Sequence, residues 1–267
     1  MKYIFLLMLF SVEIFAMIIE TPVVSIDRGD NIVKVNIANI DVGMSGFITH
    51  KLDSSHETIL KGVTVVNYEK DKHIATLKMS KYSGIARNSA LPRGLWKVKV
   101  GDIVVLAFGY SRALLIAPNE EIYYKVSRGV KIQWIHPDLF ATLLSFNGHP
   151  TPLKEDFEKM SDTTAVGLIF FFIDEKLFML DAKSFKILGI TEAPFVTKNV
   201  KLPFYTRVKN INANWWGAGS SRLKSYAPYY YSLLMKYNKN DKNLYHIIEN
   251  DDTKYHYLLN KFKLEDR

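Results

Sequence analysis

Cysteine is absent from the 267 residues. That excludes a disulfide scaffold, a thiolate zinc site, a cysteine nucleophile and a lipid-modified N-terminal cysteine. Glycine and proline are modest, at 14 and 9, which argues against a collagen-like or low-complexity chain. Long apolar runs are scarce as well. Tyr3 to Val12 is a run of ten and Ala165 to Ile173 one of nine, both short of the about 20 residues that span a bilayer as a helix. What is present is 48% hydrophobic and 13% aromatic residues with a net charge of +8. A chain of this size and composition can bury an ordinary core.

Lys2, the apolar run and the small residue Ala16 have the layout of a secretory signal peptide. The expectation is therefore a cleaved segment at residues 1–16 and an exported mature chain without a membrane span. Ile14 fits a cleavage site poorly. The alternative is an uncleaved anchor from Tyr3 to Ile19, which would place Glu13 in hydrocarbon at a cost of about 2.5–3.5 kcal/mol. Export is consistent with the missing thiols, since a chain without cysteine cannot form wrong disulfides.

Three regions follow, and together they predict an α+β protein. Residues 17–117 read as a β-rich barrel-like or sandwich part. Ile32–Ile37, Ser45–Thr49, Gly62–Val66, His73–Lys78, Trp96–Val100, Ile103–Ala107 and Ala113–Ile116 are its strands, separated by turn signals such as Arg28-Gly-Asp30. Residues 118–240 read as a mixed α/β part. Asn119 is a candidate N-cap with Glu120 and Glu121 behind it. Pro137 opens a helix expected to bury Leu139, Leu143 and Phe146 and to stop at Gly148, and Thr151-Pro152 opens another. Three strands follow, and the apolar Ala165–Ile173 is expected to be central and covered on both faces. Residues 241–267 read as a C-terminal helix and tail with Tyr245, Ile248, Tyr255, Leu258, Leu259 and Phe262 on its apolar side.

Charge of one sign is missing from 193–240. The segment has eight Lys or Arg, no Asp or Glu, and ten aromatic residues. The rest of the chain carries 27 residues of each sign, so the net charge arises here. Cations attract anionic groups, and Trp and Tyr offer flat faces for stacking. Trp215, Trp216, Arg222 and Lys224 are the candidate ligand-binding residues of this stretch, with a protein partner or anionic glycans as ligands. The opposing reading places Trp215, Trp216 and Tyr229–Tyr231 in the core. Nucleic acid is a poor ligand for an exported chain.

Catalytic signals are thin, and the chain reads as a non-enzyme. Gly217-Ala-Gly219-Ser-Ser221 has neither the preceding strand nor the Gly-Lys-Ser/Thr of a phosphate loop and reads as a flexible turn. The seven histidines are scattered, and His136 and His149 flank one helix without a further clustered ligand. Asp174, Glu175 and Asp181 sit at the spacing of hairpin turns.

From Asn36 to Leu234 the chain resembles the N-terminal domain of the bacterial plasminogen-binding protein A family. The resemblance rests on the order and spacing of several pieces. These are Asp41-Val-Gly-Met-Ser-Gly-Phe47 with Lys51-Leu52, Leu114-Leu-Ile-Ala-Pro-Asn-Glu-Glu-Ile-Tyr123, and Pro137-Asp-Leu139. Ala165-Val-Gly-Leu-Ile-Phe170 leading to Ser184-Phe-Lys-Ile-Leu188, and Pro203-Phe-Tyr-Thr-Arg-Val208, complete the set. It implies an exported protein of the periplasm, outer membrane or cell surface that binds host plasminogen, with no catalytic residue and no cofactor. Such binding uses kringle pockets that hold a lysine-like zwitterion. Family members carry a Lys- and Glu-rich extension after this domain, whereas this sequence ends at Arg267. Arg267 with its own α-carboxylate, and Lys261 and Lys263 beside Glu265 and Asp266, are then the candidate lysine mimics; an ordinary solvated charge cluster is the competing reading. The alternative function is a structural or accessory component of a periplasmic envelope assembly, for example motility machinery.

Overall fold

Period-two sequence builds the first sheet. The computed structural model describes residues 18–82, 96–250 and 254–265. The expected signal segment at 1–16 lies outside them, as do Asp266 and Arg267. Six strands, β1 (Ile19–Asp27), β2 (Ile32–Asn36), β3 (Ser45–Lys51), β4 (Glu57–Glu69), β5 (Ile74–Ser80) and β6 (Ile103–Leu106), form a closed barrel in the order β1-β2-β5-β4-β3-β6. Every pairing in it is antiparallel. Val33 and Val35 alternate with exposed Lys34 and Asn36, and Ala75 and Leu77 repeat the pattern. Closure leaves no open edge for another chain to pair with. Register shifts at Val23/Ser25, Ile48/Thr49 and Val65/Asn67 bend the strands around the barrel.

The second sheet has the order β11-β10-β9-β7-β8. Its strands are β7 (Arg112–Ile116), β8 (Gln133–Ile135), β9 (Leu168–Ile173), β10 (Lys176–Asp181) and β11 (Ile187–Glu192). β7 pairs in parallel with β8 and β9, while β10 and β11 continue the sheet antiparallel. Helix α1 (Glu120–Gly129) links β7 to β8, and α2 (Pro137–Asn147) and α3 (Lys154–Thr164) link β8 to β9. The chain ends in α4 (Tyr226–Tyr237), α5 (Lys242–Asn250) and α6 (Tyr257–Lys261).

Alternation along β7 and β9 divides the core. Ala113, Leu115, Leu168, Phe170 and Phe172 face a cluster that continues through α1 into the barrel interior. Leu114, Ile116, Ile169, Phe171 and Ile173 face the cluster built with α2 to α6. β9 is the middle strand and all six of its residues are buried, which is why it is apolar throughout. The two sheets are tied together at Asp181, which is fully buried. Its carboxylate accepts from the Tyr110 hydroxyl at 2.8 Å, Ser45 N at 3.0 Å and Ser45 Oγ at 2.6 Å, and from the amides of Lys183 and Ser184. These donors keep a buried carboxylate satisfied without a cationic partner. At the same junction Gly167 N donates to Gly109 O at 2.9 Å. A Cβ on Gly167 would come within 2.5 Å of the Gly109 backbone.

The sequence reading contains neither β1 nor β8, and the structure departs from it in four further places. Trp96–Val100 forms no strand; only Val98 is buried there, and the segment turns at Lys99–Asp102. The strand at Arg112–Ile116, grouped above with the β-rich part, belongs to the second sheet. Helix α2 buries Phe140, Ala141 and Leu144, and leaves Leu139 and Phe146 exposed. Both faces of α2 are apolar at helical spacing, so the sheet rather than the pattern chose between them. The C-terminal segment holds two short helices, α5 and α6, instead of one. Its apolar residues do pack inward: Tyr245, Ile248, Tyr255 and Leu258 are buried, with Leu259 and Phe262 packed against them.

Candidate functional site

Residues 193–225 run without helix or strand from β11 to α4. A coil of this length stays ordered only if its backbone polar groups find partners, and here they do. Lys201 N and Tyr205 N donate to Pro118 O and Ala117 O, both at 2.7 Å, just beyond β7. At the start of α2, Asp138 accepts from Thr206 Oγ1 and Arg207 N, both at 2.8 Å, and from Arg207 Nε at 2.7 Å. Burial alone would raise the Asp138 pKa. The bonds from Arg207 and Thr206 outweigh it, with help from His136, and hold the carboxyl down at about 2.

At the other end of α2, Asn214 N donates to Gly148 O at 2.9 Å and Asn214 Nδ2 to Asn147 O at 2.7 Å. Gly148 terminates α2 with φ +72°, and a Cβ there would meet the Asn214 side chain at 2.2 Å. Glycine therefore serves both the helix stop and the close passage of the 193–225 coil, which lies as a strap against α2. The return limb is fixed by Thr151, whose amide donates to Gly219 O at 3.1 Å and whose hydroxyl donates to Ser221 O at 2.6 Å. Arg222 Nη2 donates to Asn210 Oδ1 at 2.7 Å and closes the base of the loop between them. Gly217-Ala-Gly219-Ser-Ser221 is thus the turn of that loop, with Ser220 Oγ donating to Gly217 O.

Within this pinned loop Trp215 is 94% and Trp216 80% exposed. Phe146, next to the residues that Asn214 binds, is 85% exposed. The reading of the two tryptophans as core is therefore wrong, while Tyr230 and Tyr231 are indeed core. Lys159 lies beside the patch, its ammonium 5.3 Å from the Phe146 ring and 2.6 Å from Asn147 Oδ1.

At the base of the loop is a cleft of about 290 Å³ bordered by Lys201, Lys209, Arg222, Thr206 and Asn210. No carboxylate borders it among the described residues. Lys224 lies on a different, wider cleft of about 500 Å³ with Lys254, Asp174, Tyr226 and Tyr255. Lys261 and Lys263 are exposed at the end of α6, on a separate element. The Lys261 ammonium lies 5.2 Å from the Phe262 ring. Glu265 bonds Lys239 at 2.7 Å. The candidate residues thus fall into three places: Trp215, Trp216 and Arg222 on one loop, Lys224 beyond it, and Lys261 and Lys263 on the tail. Arg267 lies outside the described residues.

The histidines do local work. His136 caps α2 by accepting from Asp138 N at 3.2 Å, and His149 Nδ1 bonds buried Asp156 at 2.9 Å. Among the described residues no three His, Asp or Glu side chains group as a metal set, and no helix is long and apolar enough to cross a membrane. Sequence reasoning missed Phe146, Lys201 and Lys209 as members of the exposed patch and basic cleft. The carboxylate-free run contained the signal for the two lysines. Nothing local marked Phe146.

Known proteins similar to this chain in sequence share one family. The family model described as plasminogen-binding protein pgbA N-terminal matches residues 18–234. Two curated relatives, both named plasminogen-binding protein PgbA, come from Helicobacter pylori strains J99 and 26695. They are 31% and 30% identical over 216 residues, covering 79% of this chain and 46% of theirs. The chain thus spans about half the length of the curated relatives it matches. No solved structure matches. The strap and its tryptophans lie inside the matched region; α5, α6 and the tail lie beyond it.

Proposed function

The chain belongs to the family of plasminogen-binding protein A N-terminal domains, and from that premise we propose that it is an exported, non-enzymatic envelope protein that binds plasminogen. The family match over residues 18–234 carries this reading. The relatives are named as binding proteins.

Binding would run through lysine-like groups, a cation and a carboxylate presented together to a kringle pocket. Lys261 and Lys263 are exposed on the tail, while Glu265 is paired with Lys239, so the tail would present both charges once that pair opens. Arg222 and Lys224 supply the cations on the strap. Export would remove residues 1–16, and N-terminal sequencing of the fractionated protein tests that step; a cytoplasmic protein retaining Met1 refutes it. Protease added to whole cells separates a surface receptor, which is cleaved, from a periplasmic component, which is protected.

Immobilised plasminogen should retain the full chain and release it to 6-aminohexanoate, a free lysine analogue. Retention that the analogue does not compete refutes the lysine-like mode. Deleting residues 261–267 should weaken binding severely. If the truncated chain binds as well as the intact one, the tail is not the ligand. Arg222→Glu with Lys224→Glu then tests the strap, where the loss should depend on salt.

A further inference from the structure

We propose that the strap loop is a docking element for an anionic lipid surface, with Trp215, Trp216 and Phe146 entering the interfacial layer and Lys201, Lys209 and Arg222 binding lipid phosphate. This goes beyond plasminogen binding and does not depend on it.

Three large aromatic side chains, Trp215, Trp216 and Phe146, are 94%, 80% and 85% exposed and belong to residues directly flanking the bonds from Asn214 to Asn147 and Gly148 at the end of α2. Tryptophan is the side chain best suited to a headgroup layer, because its ring is apolar and its indole N–H still needs a polar partner. The loop is held before any ligand arrives. Arg222–Asn210 closes its base, Asn214 fixes one limb to α2, and Thr151 fixes the other. Little ordering entropy is therefore lost on docking.

Charge selects the occupant. The segment that carries the tryptophans has eight cations and no acid. Asp138, on α2, neutralises Arg207. Lys201, Lys209 and Arg222 instead surround a cleft without a carboxylate, and Lys159 stands beside Phe146. Cations flanking exposed aromatics suit an anionic bilayer surface.

The test uses the full chain in co-sedimentation with phosphatidylcholine vesicles, with and without added phosphatidylglycerol. Binding should require phosphatidylglycerol, weaken as salt shortens the screening length, and shift tryptophan emission to the blue. Trp215→Ala with Trp216→Ala, and separately Lys209→Glu, which leaves the Arg222–Asn210 closure intact, should each lower partitioning by about tenfold. Unchanged far-ultraviolet dichroism and a wild-type urea midpoint show that the variants remain folded. Equal sedimentation with neutral and anionic vesicles overturns the proposal. So does wild-type partitioning by the tryptophan variant, or loss of plasminogen or glycan binding by that variant with vesicle binding intact.

Discussion

The loop between Asn210 and Arg222 and helix α4 are neighbours in sequence and alike in composition, aromatic and basic without a carboxylate, yet their aromatics have opposite fates. In α4, Tyr226, Tyr230 and Tyr231 are buried. The Tyr226 hydroxyl donates to Ile116 O and Phe172 O, both at 3.0 Å, and Tyr230 donates to Pro203 O at 2.9 Å. Tyr229 donates to Pro152 O. Burial raises the pKa of Tyr226 and Tyr230 well above the ordinary phenol value, so both remain neutral donors. Tyr226 and Tyr230 pack edge to face at 4.8 Å, and Tyr230 meets Phe171 of the sheet at 5.3 Å. The loop offers its tryptophans no such surface, because its own backbone lies against α2 and turns the rings outward. An amphipathic ring becomes core when a packed sheet supplies both an apolar face and a carbonyl at its rim.

The largest expected effect lies on the α4 side. Tyr230→Ala removes a fully buried ring and should cost about 3–5 kcal/mol of stability, read by urea denaturation. A loss below about 1 kcal/mol would mean that α4 is no more a core element than the loop. Gly148→Ala attacks the loop from beneath, forcing a left-handed alanine against Asn214. It should cost about 1–3 kcal/mol and raise hydrogen exchange at residues 212–221 while α4 stays protected. Equal loosening of both would show that loop and helix open as one unit.

Acid sharpens the comparison next. The Asp138 pKa in the folded protein is about 2, against an ordinary 3.8. The stability that Asp138 contributes is therefore complete above the ordinary value and is lost as pH falls through 3.8 toward about 2. Discounted for partial exposure, it amounts to about 1 kcal/mol. Asp138→Asn should flatten the wild-type acid dependence by that amount in denaturation curves; parallel curves would show that the strap is held without this charge. The smallest effect belongs to the tryptophans. Trp215→Ala with Trp216→Ala should shift stability by no more than about 0.5 kcal/mol, and a larger loss would make the pair structural after all.

Much of the fold was legible because it rests on local pattern. Alternation over Ile32–Asn36 and Ile74–Ser80 marked barrel strands, and Asn119 caps α1 as its position suggested, accepting from Ile122 N at 2.9 Å. The apolar run at Leu168–Ile173 marked a strand covered on both faces. The resemblance named the family that the comparisons then showed. Trp96–Val100 misled because alternation describes a strand only where a partner strand is in register. The site was legible only as a composition. That 193–240 was basic and aromatic could be counted, but which rings faced water could not.

Sequence alone determined the α+β class, five of the six barrel strands, the central apolar strand and the region where the net charge resides, since each follows from periodicity or composition within a short window. Tertiary structure decided which face of α2 is buried, that Arg112–Ile116 serves the second sheet, and that the tyrosines of α4 are core while Trp215 and Trp216 are not. Those outcomes depend on surfaces and hydrogen-bond partners contributed by residues far away in the chain. Ile116, Phe172 and Pro203 draw the tyrosine hydroxyls inward, whereas Gly148 and Thr151 bind only the backbone of the strap, Asn147 binds the Asn214 side-chain amide, and the indoles of the strap are left in solvent.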